Sequence, residues 1–378
     1  MKFLHISDLH LGKRVHEFSM IQEQQFALEQ IVQIVDAESP DGILIAGDIY
    51  DKAVPSSEAI QLFDDFLFAL SSRAVNVFII SGNHDSAERL SFGSRIMDKS
   101  GIHISQVYNG SITPVTLYDE YGPVNIYMLP FVKPAGIRRF FPDEAIETYD
   151  DAIRLAVEQM EVNSAERNIL ITHQFITGAI RSESEEVSVG GTDNVSCSHF
   201  AGFDYVALGH IHGPQYILAE HIRYCGSPLK YSFSEAAHKK SATLVTINQK
   251  GDLTVQCKDI IPKHDMIELK GSYMELTAKS FYESLDTTAF VHITLTDEDD
   301  ILDAMGKLRA IYPYLMKLDY DNTRTRKNNQ ILAPQDIKTK SPLQLFEEFY
   351  EVQNNRTMSD TQKDYLKLAI EKIWEDSE

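Results

Sequence analysis

The sequence predicts an α/β fold followed by a smaller α+β unit and a helical C-terminus. Three observations predict it. Apolar runs of about six residues recur up to about residue 260 and alternate with amphipathic stretches, the pattern of strands joined by helices. Several of these runs end in Gly, Asp, Asn or His. Around Ile261-Pro262-Lys263-His264 the alternation changes to shorter, mixed elements.

Taken in order, the predicted strands are KFLHIS, GILIAG, NVFIIS, VNIYML, NILITH, DYVALG, IRYCG and ATLVTI. Between the first two lies an amphipathic helix starting near Ser19, with Ser19 and Gln22 spaced as a capping box. A second helix, from Ser57 to Ser71, carries Ile60, Phe63, Leu67 and Leu70 at helical spacing, which reads as core packing. The stretch RSESEEVSVGGTDNVS is polar and glycine-bearing, and is expected to be mobile or to depend on a partner.

The smaller unit reads as strand MIELKG, a helix, strand FVHITLT, a helix from Asp300 to Tyr312, and strand YLMKLDY. A basic segment from Asn322 to Lys340 follows, with Arg324, Arg326, Lys327, Lys338 and Lys340 against one acid, Asp336; it reads as a linker. Ser341-Pro342 then opens a helix, since proline suits the first helical position. That helix is expected to bury Leu345, Phe346, Phe349 and Tyr350. A last helix begins near Ser359 and carries Leu366, Ile370, Ile373 and Trp374. Two short helices beyond a linker bury little alone, so they dock on the body or bind a partner. The resulting division is 1–262, 263–321, 322–340 and 341–378.

Bulk properties narrow the function classes. The chain has 378 residues, 43% of them hydrophobic and 24% charged, an ordinary globular composition. No apolar run approaches the ~20 residues of a membrane span, and MKFLHISDLH does not read as a signal peptide. Cys197, Cys225 and Cys257 are too scattered for a disulfide framework or a CxxC metal site, so a reducing cytoplasm is expected. The net charge of -21 repels nucleic acid at long range. A DNA-binding role therefore needs local basic patches, metal ions or a partner.

The strand ends carry the chemistry. Asp8-Leu9-His10 follows the first predicted strand, Gly47-Asp48 and then Asp51 the second, and Gly82-Asn83-His84-Asp85 the third. His173 ends NILITH, and Gly209-His210-Ile211-His212-Gly213 follows DYVALG. Ligand sites in parallel α/β sheets form at the carboxyl ends of strands, so five strands deliver Asp, Asn or His to one edge. Any one of these fragments is an ordinary turn or core residue. All five in this order point to a metal site, and mixed carboxylate and imidazole ligands suit manganese, iron or zinc better than magnesium.

The pattern D-x-H, G-D, G-N-H-[DE], H and G-H-x-H resembles the binuclear, calcineurin-like metallophosphoesterases. DGILIAGDIYD, ISGNHDS, NILITHQF, VGGTDNVSCSHFAGFDYVALGHIH and IRYCGSPLKYSFSE extend the resemblance to the SbcD family of bacterial nuclease subunits, relatives of the Mre-type nucleases. It is dense over residues 1–260 and looser beyond. The resemblance implies a β-sandwich flanked by helices, a small cap domain that contacts DNA, and C-terminal helices that dock on an SbcC-type ATPase. It implies two divalent ions, manganese by expectation: one held by Asp8, His10, Asp48 and His212, the other by Asp48, Asn83, His173 and His210. Asp48 would bridge them, and a hydroxide activated by both would attack phosphorus. His84 would act on the scissile phosphate or leaving oxygen, with Asp51 to orient it.

The substrate class follows from departures as well as matches. Phosphoprotein phosphatases of the superfamily carry Arg-Gly after the second acid, whereas Lys52-Ala53 follows Asp51 here. The extra domain and tail favour a polymer over a small molecule. The expectation is a DNA exo- and endonuclease acting on duplex ends, hairpins and single strands, within a heterotetramer containing two copies of this chain. Arg324, Arg326 and Lys327 are candidate DNA contacts, and Phe346, Phe349, Leu366, Ile370 and Trp374 candidate partner contacts. The rivals are a cyclic-nucleotide-type phosphodiesterase and a non-catalytic DNA-end scaffold.

Overall fold

The computed structural model describes residues 1–185, 193–323, 325, 342–354 and 357–375, with the backbone alone for 342, 352–354 and 368–375. Two compact units divide the chain: residues 1–270, 274–293 and 303–318 form one, and 271–273, 294–302 and 319–378 the other.

Two six-stranded sheets pack face to face in the first unit. One runs Leu253–Asp259, Ser241–Ile247, Lys2–Ile6, Gly42–Ala46, Asn76–Ile80, Ile102–Ile104 in spatial order. The other runs Gln215–Ile217, Ala219–Tyr224, Tyr205–Gly209, Arg167–His173, Gly122–Leu129, Val115–Asp119. Parallel pairing joins Lys2–Ile6 through Ile102–Ile104, and likewise Ala219–Tyr224 through Gly122–Leu129.

Period-two alternation sorts the strand residues into layers. Phe3, Leu44, Phe78 and Ile80 meet Ile126, Ile169, Ile171 and Tyr205 between the sheets. Leu4, Ile43, Ile45, Val77 and Ile79 face the helices Ile21–Glu38 and Ser57–Ser71. On the far side, Leu170, Val206 and Leu208 face the helix Tyr149–Glu158. The order is helix, sheet, sheet, helix: the flanked β-sandwich that the resemblance implied.

Local departures have local causes. The first helix begins at Ile21 behind Met20, with no side-chain cap. Ser19 is instead paired with Arg14 in a two-stranded ladder, so the expected capping box does not form. Ser56 caps the second helix by accepting from the Ala59 amide at 3.3 Å. On that helix Ile60 is 49% exposed, whereas Ala59 and Phe66 join Phe63, Leu67 and Leu70 in the core.

A three-stranded sheet sets Phe290–Leu295 between Met266–Gly271 and Leu315–Tyr320. The helix expected from Asp300 to Tyr312 is confined to Ala304–Arg309, because Asp303 takes a left-handed conformation at φ +53° and acts as its N-cap. Near the C-terminus, helices span Pro342–Asn354 and Asp360–Glu375. Ser359 and Gln362 form a reciprocal capping box, each amide donating to the other's side chain. Among the described residues no helix is long and apolar enough to cross a membrane.

Candidate metal centre

The carboxyl ends of the strands Lys2–Ile6, Gly42–Ala46, Asn76–Ile80, Arg167–His173 and Tyr205–Gly209 bring the sequence-predicted residues to one place. The Asp8 amide donates to the Gly47 carbonyl at 3.1 Å and the His10 amide to the Asp48 carbonyl at 3.0 Å, which zips the first two strand-end loops together. Glycine allows the sheets to close here: a Cβ on Gly209 would overlap the Ala46 carbonyl, and one on Gly82 would overlap the Asp48 carboxylate. Asp8, His10, Asp48 and His210 all sit at positive φ, at +54°, +45°, +49° and +100°. Such backbone costs on the order of 1–3 kcal/mol per residue, and it concentrates where a site demands it.

Side-chain atoms then converge. His10 Nε2 lies 3.1 Å from His212 Nε2 and 3.6 Å from Asp48 Oδ2. His173 Nε2 lies 3.3 Å from the same carboxylate oxygen. Asn83 Oδ1 is 3.0 Å from both His173 Nε2 and His210 Nδ1. Asp8 accepts from the His210 amide at 3.0 Å and from the Ser7 hydroxyl. Three overlapping groups of ligand atoms lie within 4.8 Å of one another: Asp8, His10 and His212; His10, Asp48 and His84; Asp8, Asp48 and His173.

The donor chemistry fits cations. His173 Nδ1 is 2.8 Å from the Ala46 carbonyl, which can only accept, so Nδ1 carries the hydrogen. In the neutral ring Nε2 is then a lone pair aimed at two acceptors, Asn83 Oδ1 and Asp48 Oδ2. That arrangement is favourable only with a positive charge between them. The protein shows the same demand for charge through protonation. Burial opposes a charged His173 ring, yet Asp48 and Asp8 beside it raise its pKa to about 9. Burial keeps His10 and His210 neutral, His210 with its pKa lowered to about 3. Neutral imidazole is the form that binds metal.

Comparison with known proteins agrees. Residues 1–214 match the calcineurin-like phosphoesterase family, and residues 262–354 match the type 5 capsule protein repressor C-terminal domain. Over 377 residues, 98% of both chains, the sequence is 32% identical to the SbcD component of the nuclease SbcCD of Staphylococcus epidermidis. The chain belongs to the SbcD family. Two solved structures also align with 69% of this SbcD-family chain. They are TT1561 of Thermus thermophilus (TM-score 0.39, 11% identity, 99% of that chain) and a dimetal phosphatase of Danio rerio (TM-score 0.40, 12% identity, 97% of that chain).

His84 differs from its neighbours in exposure. Its side chain is 18% exposed against 3% for Asp48, and Nε2 lies 4.0 Å from Asp48 Oδ2. Its Nδ1 donates to the Asp51 backbone carbonyl at 3.0 Å, which turns Nε2 toward the centre. The Asp51 carboxylate is engaged elsewhere, 2.8 Å from Lys13 Nζ. Asp51 thus contacts His84 through its backbone, not through the acid that the sequence reading singled out.

Arg324, Arg326 and Lys327 lie outside the described residues. Phe346 and Phe349, expected to be buried by their helix, are instead 45% and 58% exposed, and Leu366 is half-buried. Ile370 and Trp374 fall in the last helix, but their side chains lie outside the described residues.

Several supporting residues of this SbcD-family site escaped the sequence reading. Asp85 accepts from the amides of Ile49, Tyr50 and Gly82 at 2.9–3.1 Å and fastens two strand-end loops together. Burial, with Asp48 nearby, raises its pKa to about 6. Gln24 donates to the His10 carbonyl at 2.7 Å, and Tyr231 sets its ring edge-on to both His10 and His212. In the sequence, Asp85 falls in the G-N-H-D fragment and Tyr231 in IRYCGSPLKYSFSE, but neither fragment marks these residues as supports, and nothing marks Gln24. The loop expected to be mobile is anchored where it is described: Arg181 pairs with Asp193 at 2.5 Å and stacks over Phe175.

Proposed function

We propose that this chain is the nuclease subunit of an SbcCD-type complex, a two-metal phosphodiesterase that cuts DNA at duplex ends, hairpins and single strands. The observation that carries the reading is the position of Asp48. Its Oδ2 lies 3.6 Å from His10 Nε2 and 3.3 Å from His173 Nε2, so one carboxylate can serve two cations. Two divalent ions, manganese on this ligand set, would supply Lewis acidity at phosphorus and a nucleophile from water at neutral pH.

The chain's own residues do the rest. Asp8, His10 and His212 would hold one cation, and Asn83, His173 and His210 the other. Buried backbone at positive φ fixes the directions of Asp8, His10, Asp48 and His210 before substrate arrives, so little reorganisation remains there. His84, tied by Nδ1–H to the Asp51 carbonyl, offers Nε2 to a phosphate oxygen or to the leaving oxygen; because the Nδ1 hydrogen is given to that carbonyl, the ring acts there as hydrogen-bond donor or general acid in its doubly protonated form. Asp51 is a positioning residue through that carbonyl.

The division 1–262, 263–321, 322–340 and 341–378 belongs to the same reading: nuclease domain, cap, linker and docking helices. The exposure of Phe346 and Phe349 supports a partner surface on the tail for an SbcC-type ATPase. Arg324, Arg326 and Lys327 are proposed DNA contacts, a local basic patch in a chain of net charge -21. The assembly is a cytoplasmic heterotetramer with two copies of this chain.

The test is cleavage of end-labelled linear duplex and hairpin DNA in manganese, with and without the ATPase partner and ATP. The reading expects cutting that a chelator abolishes and that the partner with ATP stimulates on duplex ends. Hydrolysis of a cyclic nucleotide with no cutting of either DNA would replace the nuclease with a small-molecule phosphodiesterase.

A further inference from the structure

A fully buried ion pair stands behind the metal-facing histidine His212, and none of its members belongs to the ligand set. Glu235 is 0% exposed and Lys240 is 4% exposed. Lys240 Nζ donates to Glu235 Oε2, to the Ser227 hydroxyl at 2.9 Å and to the His212 carbonyl at 2.8 Å. The other Glu235 oxygen, Oε1, accepts from the Ser184 hydroxyl at 2.6 Å. Ser184 Oγ in turn lies 2.7 Å from His212 Nδ1. Glu185 adds a second tie, accepting the His212 amide at 2.6 Å.

Hydrogen counting fixes the direction of this chain of contacts. Lys240 compensates the Glu235 carboxylate, which can only accept. Serine has one hydrogen, and it is given to Glu235. The contact between Ser184 Oγ and His212 Nδ1 therefore needs its hydrogen from the ring, so His212 is the Nδ1–H tautomer. Its Nε2 is left with the lone pair, facing His10 Nε2 at 3.1 Å. Glu235 itself is 3.5 Å from His212 Nδ1, so the serine is the link between them.

We propose that Ser184 and Glu235, with Lys240 as counter-charge, form a relay that sets the tautomer and aim of His212 and so tunes the cation on the His10–His212 side. These are positioning residues, since they touch neither substrate nor cation. The inference rests on the two-cation reading above. Ser184 and Glu235 are 51 residues apart, which is why no spacing in the sequence suggested the link. Ser184 belongs to the polar stretch that precedes GGTDNVS, so this stretch supplies part of the support for the metal site.

The test is calorimetric titration of the metal-free, full-length chain with Mn2+, together with the visible absorption spectrum of the Co2+-loaded protein. Ser184→Ala keeps the Glu235–Lys240 pair intact, and Glu235→Gln breaks it. Circular dichroism melts check that each variant is folded. The relay predicts that Ser184→Ala weakens one of two Mn2+ affinities about 10- to 100-fold, leaves the other unchanged, and alters only part of the Co2+ spectrum. Ser184→Thr, which keeps the hydroxyl, restores both. Two wild-type affinities and a wild-type Co2+ spectrum in folded Ser184→Ala would overturn the relay, even if Glu235→Gln does not fold. No cation uptake by the wild type would overturn the two-cation reading, and the relay with it.

Discussion

His173 Nε2 lies 3.3 Å from Asp48 Oδ2, while its other ring nitrogen is 2.8 Å from the Ala46 carbonyl. The backbone of one sheet therefore fixes which nitrogen of a histidine from the other sheet can bind a cation. In the proposed two-cation reading, Asp48 is the residue on which both halves of the site depend. Asp48→Ala is expected to reduce hydrolysis by at least about 10²–10³-fold, the usual scale for losing a major electrostatic element. Calorimetry should show both cation-binding events weakened. Loss of only one would place Asp48 on a single ion.

His84 makes a contrasting prediction. It is outside the proposed ligand set but turned toward the centre, so His84→Ala should lower single-turnover cleavage by roughly 10²–10⁴-fold. Mn2+ affinity should stay at the wild-type value. A variant that loses both together would make His84 a ligand.

Gly82 tests the closeness of the sheet ends. In Gly82→Ala the new methyl meets the Asp48 carboxylate and must displace it. Overpacking of this kind costs about 1–3 kcal/mol. Urea titration is expected to show that loss, with weaker cation binding. Wild-type stability and affinity would mean that the loop yields freely.

Arg167 and Asp119 predict a pH effect far from the site. Arg167 is fully buried and donates to Asp119, to the Gly122 carbonyl and to the Asn248 carbonyl. The guanidinium holds the Asp119 carboxyl below its ordinary 3.8. A carboxyl with a depressed folded-state pKa stabilises the fold above its unfolded value. That contribution fades as pH falls below 3.8 toward the folded value. The acid limb of stability against pH should therefore be shallower in Asp119→Asn than in the wild type.

Much of the sandwich was legible because its central strands are continuous apolar runs buried on both faces. Leu44, Phe78 and Ile169 belong to such runs. Edge strands were not legible: Leu253–Asp259 alternates half-buried and exposed residues and carries no comparable apolar run. Ser19 misled because a capping pattern competes with the short ladder that pairs it to Arg14. The proposed ligand residues stood out because aspartate and histidine at strand ends are scarce and recur in order. Their supports did not, because Gln24, Ser184, Glu235 and Lys240 are polar residues whose meaning lies in contacts made across the fold.

In the proposed mechanism, hydrolysis of DNA needs two cations sharing Asp48. The most direct measurement titrates the metal-free, full-length chain with Mn2+ while following cleavage of an end-labelled hairpin. On this mechanism, cleavage is expected to rise with the second equivalent bound and to stay at background with the first. Full cleavage with one equivalent, or cleavage retained by Asp48→Ala, would contradict it.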